Sequence, residues 1–112
     1  MRRITAYIKP HRLEETKAAI ADLGVGGMTV SDVRGCGNSP EQPAMLGGEQ
    51  VLISLPMRSK IMVVVDLQSV EPVIHAILAH NQTPHDGDGK IFVEPVLDAI
   101  RCRTKERGSS AV

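Results

Sequence analysis

Apolar and polar residues alternate imperfectly from Arg3 to Lys9, with Ile4, Ala6 and Ile8 on one face, and the alternation stops at Pro10, which has no N–H for a sheet ladder. A first strand is predicted there. From His11 to Leu23 the apolar positions Leu13, Ala18, Ile20, Ala21 and Leu23 fall at mixed three- and four-residue spacing. Glu14 and Glu15 lie in the first turn and Gly24 follows the end, so the segment reads as an amphipathic helix. Gly26 and Gly27 lead into a second strand, Met28 to Val33, which runs into Gly35-Cys36-Gly37. From Asn38 to about Leu55 there is no helical stripe, and Pro40, Pro43 and Gly47-Gly48 interrupt the segment. It is expected to be a long loop, 38–55, with Gln50 to Leu55 also readable as the arm of a hairpin; long loops in compact domains usually carry function. Arg58 to Val65 ends in a purely apolar run and predicts a third, central strand. Ser69 is a candidate N-cap for a second helix, with Pro72 in its first turn and a stripe of Val70, Val73, Ile74, Ile77 and Leu78 ending near His80. Gln82 to Lys90 is a loop rich in Pro, Gly and Asp. Ile91 to Val93 is a short fourth strand closed by Pro95, and Leu97 to Thr104 reads as a further short strand carrying Arg101 and Arg103. The tail, 105–112, is polar and expected to fray.

The order strand, helix, strand, strand, helix, strand specifies an α+β chain of the ferredoxin-like βαββαβ kind: an antiparallel sheet with two helices on one face, in one domain spanning 1–112. The other sheet face is left bare. With one Tyr (Tyr7), one Phe (Phe92) and no Trp, the core is aliphatic, and association of copies through the bare face is the simplest way to extend it. The 112 residues, 42% hydrophobic and 23% charged, suit a soluble globular protein. Thirteen Lys and Arg balance thirteen Asp and Glu, so no global field favours nucleic acid or an anionic membrane. The longest apolar run, Ile61 to Val65, is far short of the ~20 residues of a membrane helix, and the N-terminus lacks the apolar region of a signal peptide; a cytoplasmic protein without membrane insertion is expected. Cys36 and Cys102 form neither a CxxC nor a Cys/His metal spacing, which points to reduced thiols.

The sharpest chemical signal is Gly87-Asp88-Gly89-Lys90 at the mouth of a strand. Two glycines free backbone amides to approach an anion while the lysine adds charge. The segment is not a Walker A loop, because Ile91 follows Lys90, and a plain Asp-Gly turn also accounts for it. Arg101 and Arg103, two apart on the expected strand, would share a face and offer two guanidinium forks to one polyanion; a pair of solvated edge arginines is the competing reading. With each charge-assisted bond worth about 1.5–3 kcal/mol, Lys90, two arginines and a few amides suffice for roughly micromolar nucleotide binding. Gly35-Cys36-Gly37 is another close-approach element or another turn. His75 and His80 are poorly spaced for one metal, His11 and His85 have no near ligand partner, and no set of side chains argues for nucleophilic or acid–base catalysis.

Over nearly its whole length the chain resembles the PII signal-transduction family. The residues that carry the likeness are Ile8-Lys9-Pro10, Gly27-Met28-Thr29-Val30, Gly35-Cys36-Gly37, Gly87 to Val93 and Ile100 to Thr104. The resemblance implies a non-catalytic homotrimer with nucleotide sites in the clefts between subunits. Gly27, Met28, Thr29 and Val64 would surround adenine. Gly35, Cys36, Gly37, Asn38, Arg58, Gly87, Asp88, Gly89 and Lys90 would line ribose and phosphates, and Arg101 and Arg103 would reach the phosphates of the adjacent subunit's site. The ligand would be ATP, ADP or AMP, with magnesium left open. The 38–55 loop would be the family's T-loop, docking on a regulated partner such as a transporter or enzyme.

Three departures from the family pattern stand out. No tyrosine is present in the loop, where the region that members of the family uridylylate reads Glu49-Gln50-Val51-Leu52. Ser39 stands where a glutamine helps hold magnesium and 2-oxoglutarate. Arg58 stands where a lysine contacts that acid. Asn38-Ser39-Pro40 and Leu46 to Glu49 resemble the divergent carboxysome-associated, bicarbonate-linked PII proteins, which implies bicarbonate as the small anion and Arg58, Ser59 and Lys60 as donors near the loop base. Two readings follow, a sensor of adenine nucleotides in inorganic-carbon metabolism and a nitrogen-regulatory PII protein that controls ammonium transport or nitrogen-assimilation enzymes. A metal-binding or slow ATPase domain of the same fold is a third.

Overall fold

Two central strands make the sheet two-faced. In the computed structural model, which describes residues 1–35, 45–46, 49–50 and 55–112, strand β1 (Arg2–Ile8) pairs antiparallel with β5 (Met57–Val65), setting Ile4 against Val63, Ala6 against Ile61 and Ile8 against Ser59. These residues and Val65 are buried on one face, while Arg3, Tyr7, Lys60, Met62 and Val64 alternate onto the other. Helix α1 (Leu13–Ala21) and helix α2 (Val70–Asn81) cover the buried face with Ile20, Val70, Val73 and Ile77. Each Ile or Val taken from water this way contributes about 1.5–3 kcal/mol, enough for a core without aromatic rings.

Strand β2 (Thr29–Arg34) adds to the free edge of β5 and β6 (Lys90–Pro95) to the free edge of β1, giving the antiparallel order β2-β5-β1-β6. This is the ferredoxin-like arrangement with both helices on one side. Within the expected 38–55 loop, β3 (Met45–Leu46) pairs with β4 (Glu49–Gln50) as a separate two-stranded ladder; the remainder of that loop lies outside the described residues, except Leu55.

Helical winding starts earlier than the sequence predicts for α2. A 3₁₀ turn over Leu67–Ser69 precedes the helix, so extended Asp66 is the true flank and Ser69 makes no side-chain cap bond. A similar turn, Pro10–Arg12, leads into α1. Between the helices sits one buried polar contact: the Thr16 hydroxyl donates to Arg12 O at 2.7 Å, and the Asn81 amide donates to Thr16 Oγ1 at 2.9 Å and to Ile77 O at 2.7 Å. The expected strand over 97–104 is absent. Ile100 forms an isolated bridge with Arg107, and Cys102 to Thr104 turn between them. In the tail, Gly108 N donates to Ala99 O at 2.9 Å, a 3₁₀ turn covers Gly108–Ala111, and the Val112 backbone lies against Gly26.

The open sheet face carries a hollow of about 400 Å³ lined by Arg3, Thr5, Tyr7, Lys60, Met62, Phe92 and Glu94. Tyr7 and Phe92 meet edge to face with centroids 6.1 Å apart, the Lys60 ammonium lies 6.0 Å from the Tyr7 ring centroid, and Arg3 pairs with Glu94 at 2.9 Å.

Candidate functional site

The loop before β6 is built by its own side chains. Asp88 Oδ2 accepts the Thr83 backbone N–H at 2.6 Å, its Oδ1 accepts the Thr83 hydroxyl at 2.7 Å, and Lys9 Nζ stands 3.4 Å from Oδ1. The two hydrogen bonds from Thr83, then Lys9, hold the Asp88 carboxyl below its usual range. Gly87 and Gly89 have φ of +87° and +107°, a region that side chains disfavour. At Gly89 a Cβ would also collide with the Tyr7 carbonyl, so only glycine lets the loop close onto the end of β1. Lys90 then enters β6 opposite Tyr7, exposed on the open face.

The sheet register sorts the predicted site residues into two groups at opposite ends. At one end lie Gly35, whose N–H donates to Pro56 O at 3.2 Å, Arg58 opposite Val33, and the 87–90 loop beside Tyr7. At the other lie Thr29, opposite Met62, and Val64, which extends the same face, with Gly27 and Met28 just before the strand. Arg101 and Arg103 follow the far end of β6. The Arg101 guanidinium reaches Ser110 O at 3.5 Å, and the chain then brings Val112 against Gly26. From Arg58 to Val64 is roughly 20 Å at strand rise, longer than an extended ADP. The candidate residues of one chain thus form two groups separated along the strands of the sheet. Thr29 and Val64, with Gly27 and Met28 before the strand, share that end of the sheet with the turn that carries Arg101 and Arg103.

Other expectations change. Arg101 and Arg103 sit at a turn, where Lys105 takes φ +64° and its N–H donates to Arg101 O at 2.8 Å, so their shared face cannot come from strand alternation. Arg58, Ser59 and Lys60 do not converge. Ser59 is buried among the helices at 1% exposure, while Arg58 and Lys60 project to the opposite face, so a single anion cannot bridge all three. Cys36, Gly37 and Asn38 lie outside the described residues. Sequence reasoning missed Lys9 and Thr83. The available signal was the pair Thr83 and Asp88 bracketing a Pro/Gly loop, the usual chemistry of side-chain-closed turns. Among the described residues no group of His, Cys, Asp and Glu is placed to hold a metal, and no helix is long and apolar enough to cross a membrane.

Comparison with known proteins supplies the family. Residues 1–106 match the family model described as Nitrogen regulatory protein P-II. Proteins of that name from Nostoc punctiforme, Synechocystis sp. and Cereibacter sphaeroides are 39%, 37% and 39% identical to this chain over 112 residues, covering all of each. The relatives are regulators by name. The chain accordingly belongs to the P-II family of regulatory, non-catalytic signalling proteins.

Proposed function

We propose that this chain is a trimeric sensor of adenine nucleotides, ATP, ADP or AMP, that regulates a protein partner through residues 38–55. The observation that carries the reading is the split of the candidate residues between the two ends of the sheet. Copies placed end to side would join the phosphate group of one subunit, Gly35, Arg58 and Gly87 to Lys90, to the adenine group and the arginines of the next. The open sheet face, with Phe92 49% exposed beside Tyr7, would be covered by the same association. Nucleotides would bias the loop only through contacts that differ between its arrangements.

For the second ligand we propose bicarbonate and a role in inorganic-carbon metabolism. Support comes from the loop sequence, which lacks tyrosine and carries Ser39, and from Arg58 and Lys60 sharing one face of β5. Ser59 has no part in it. The nitrogen-regulatory reading, with 2-oxoglutarate as second ligand, draws on the names of the relatives. Calorimetric titration of ATP, ADP and AMP, each repeated with bicarbonate and with 2-oxoglutarate, tests both. The proposal expects roughly micromolar binding that bicarbonate alters and 2-oxoglutarate does not. An effect of 2-oxoglutarate with ATP and none of bicarbonate would replace the carbon reading with the nitrogen one.

A further inference from the structure

The Asp88 carboxylate is turned into its own loop. A carboxylate lining a phosphate cradle would repel the ligand it is meant to hold, yet both Asp88 oxygens are engaged, Oδ2 by the Thr83 amide at 2.6 Å and Oδ1 by the Thr83 hydroxyl at 2.7 Å, with Lys9 Nζ 3.4 Å away as counter-charge. The loop is thus fastened twice, by the Thr83–Asp88 clasp and by the close approach of Gly89 to the Tyr7 carbonyl. What lies between the fastenings and the start of β6 is the segment that would meet phosphate.

We infer that Asp88 is a positioning residue and not a nucleotide contact: through Thr83 it sets the 83–90 loop so that its backbone amides and Lys90 meet the phosphates, while Lys9 neutralises its charge. The inference rests on the reading of this loop as the phosphate cradle and assigns the work within it. Hydrogen bonding by Thr83 keeps Asp88 ionised well below neutral pH, so the clasp is closed under ordinary conditions.

The test is ADP titration into the full-length protein and its variants Thr83→Val, Thr83→Ser, Asp88→Asn and the double variant Thr83→Val/Asp88→Asn. Thr83→Val removes the hydroxyl at no cost in size. Asp88→Asn removes the charge and one acceptor. Each is expected to weaken ADP about ten-fold, as loss of a charge-assisted hydrogen bond predicts. Thr83→Ser keeps the hydroxyl and retains wild-type affinity. The double variant loses less than the product of the two single losses, because both act on one clasp. Loss in Asp88→Asn with wild-type affinity in Thr83→Val would make Asp88 a direct contact and overturn the inference, as would additive losses or failure of Thr83→Ser to bind as wild type. If the wild-type protein ignores ADP, the nucleotide reading falls and this inference with it; wild-type binding with unaltered variants removes the inference alone.

Discussion

Across the interface of the two helices the Asn81 amide donates to the Thr16 hydroxyl at 2.9 Å, with Thr16 fully buried and Asn81 7% exposed. The same hydroxyl donates to Arg12 O at 2.7 Å, so this contact ties the first turn of α1 to the last turn of α2. Replacing Asn81 with Ala removes both amide bonds and leaves a void. Unfolding in urea should show a loss of about 1–3 kcal/mol, and Thr16→Val a similar loss with little change of volume. Wild-type midpoints in both variants would show that the contact contributes nothing.

Gly89→Ala should be far costlier than its size suggests. The residue combines φ +107° with a Cβ position occupied by the Tyr7 carbonyl, and backbone cannot yield as a flexible side chain does. The expected result is a folded protein with a displaced 83–90 loop, a lower thermal midpoint and at least ten-fold weaker ADP binding. ADP affinity and midpoint both at the wild-type level would contradict the close approach.

The turn bridged by Ile100 and Arg107 is fastened by Asp98, which accepts the amides of Ala99 at 2.9 Å and Gly108 at 3.3 Å and the Arg107 Nε at 3.0 Å. Hydrogen bonding by Arg107, then by the Ala99 amide, holds its carboxyl below the ordinary value of 3.8. A depressed carboxylate stabilises the fold fully above that ordinary value and loses the contribution as pH falls through the lowered one. Carboxyl NMR should give an Asp98 midpoint below 3.8 that rises in Arg107→Ala. An Asp98 midpoint indifferent to Arg107 would undo the assignment.

Arg101→Ala with Arg103→Ala should weaken ADP and ATP by roughly 100-fold if each guanidinium contributes one charge-assisted bond. Subunit assembly, measured by light scattering, should not change. Unchanged affinity would remove the arginines from the site.

The alternation through Ile4, Ala6 and Ile8 and the stripe from Val70 to Ile77 made the sheet and its covering helix readable, because burial on one face imposes a period that composition cannot hide. The Gly87 to Lys90 loop was readable for a related reason: glycine at two alternate positions signals backbone that side chains would obstruct. What the chain order could not disclose was distance. Gly27 and Gly35 are near in sequence, yet they flank opposite ends of β2, and only the antiparallel register with β5 shows which candidate residues each one lies beside. Ser59 was misplaced for a similar reason. It sits between two basic residues in sequence, but strand geometry turns it to the buried face. The turn at Arg101 depends on Lys105 adopting positive φ, a conformation that nothing in a lysine announces.

The central claim is that two half-sites from neighbouring copies close around one adenylate. Native mass spectrometry of the protein with ADP tests it most directly. The account predicts a trimer carrying up to three ADP molecules and no ADP on free monomer. A monomer that binds ADP by itself, or a trimer that binds none, would contradict it.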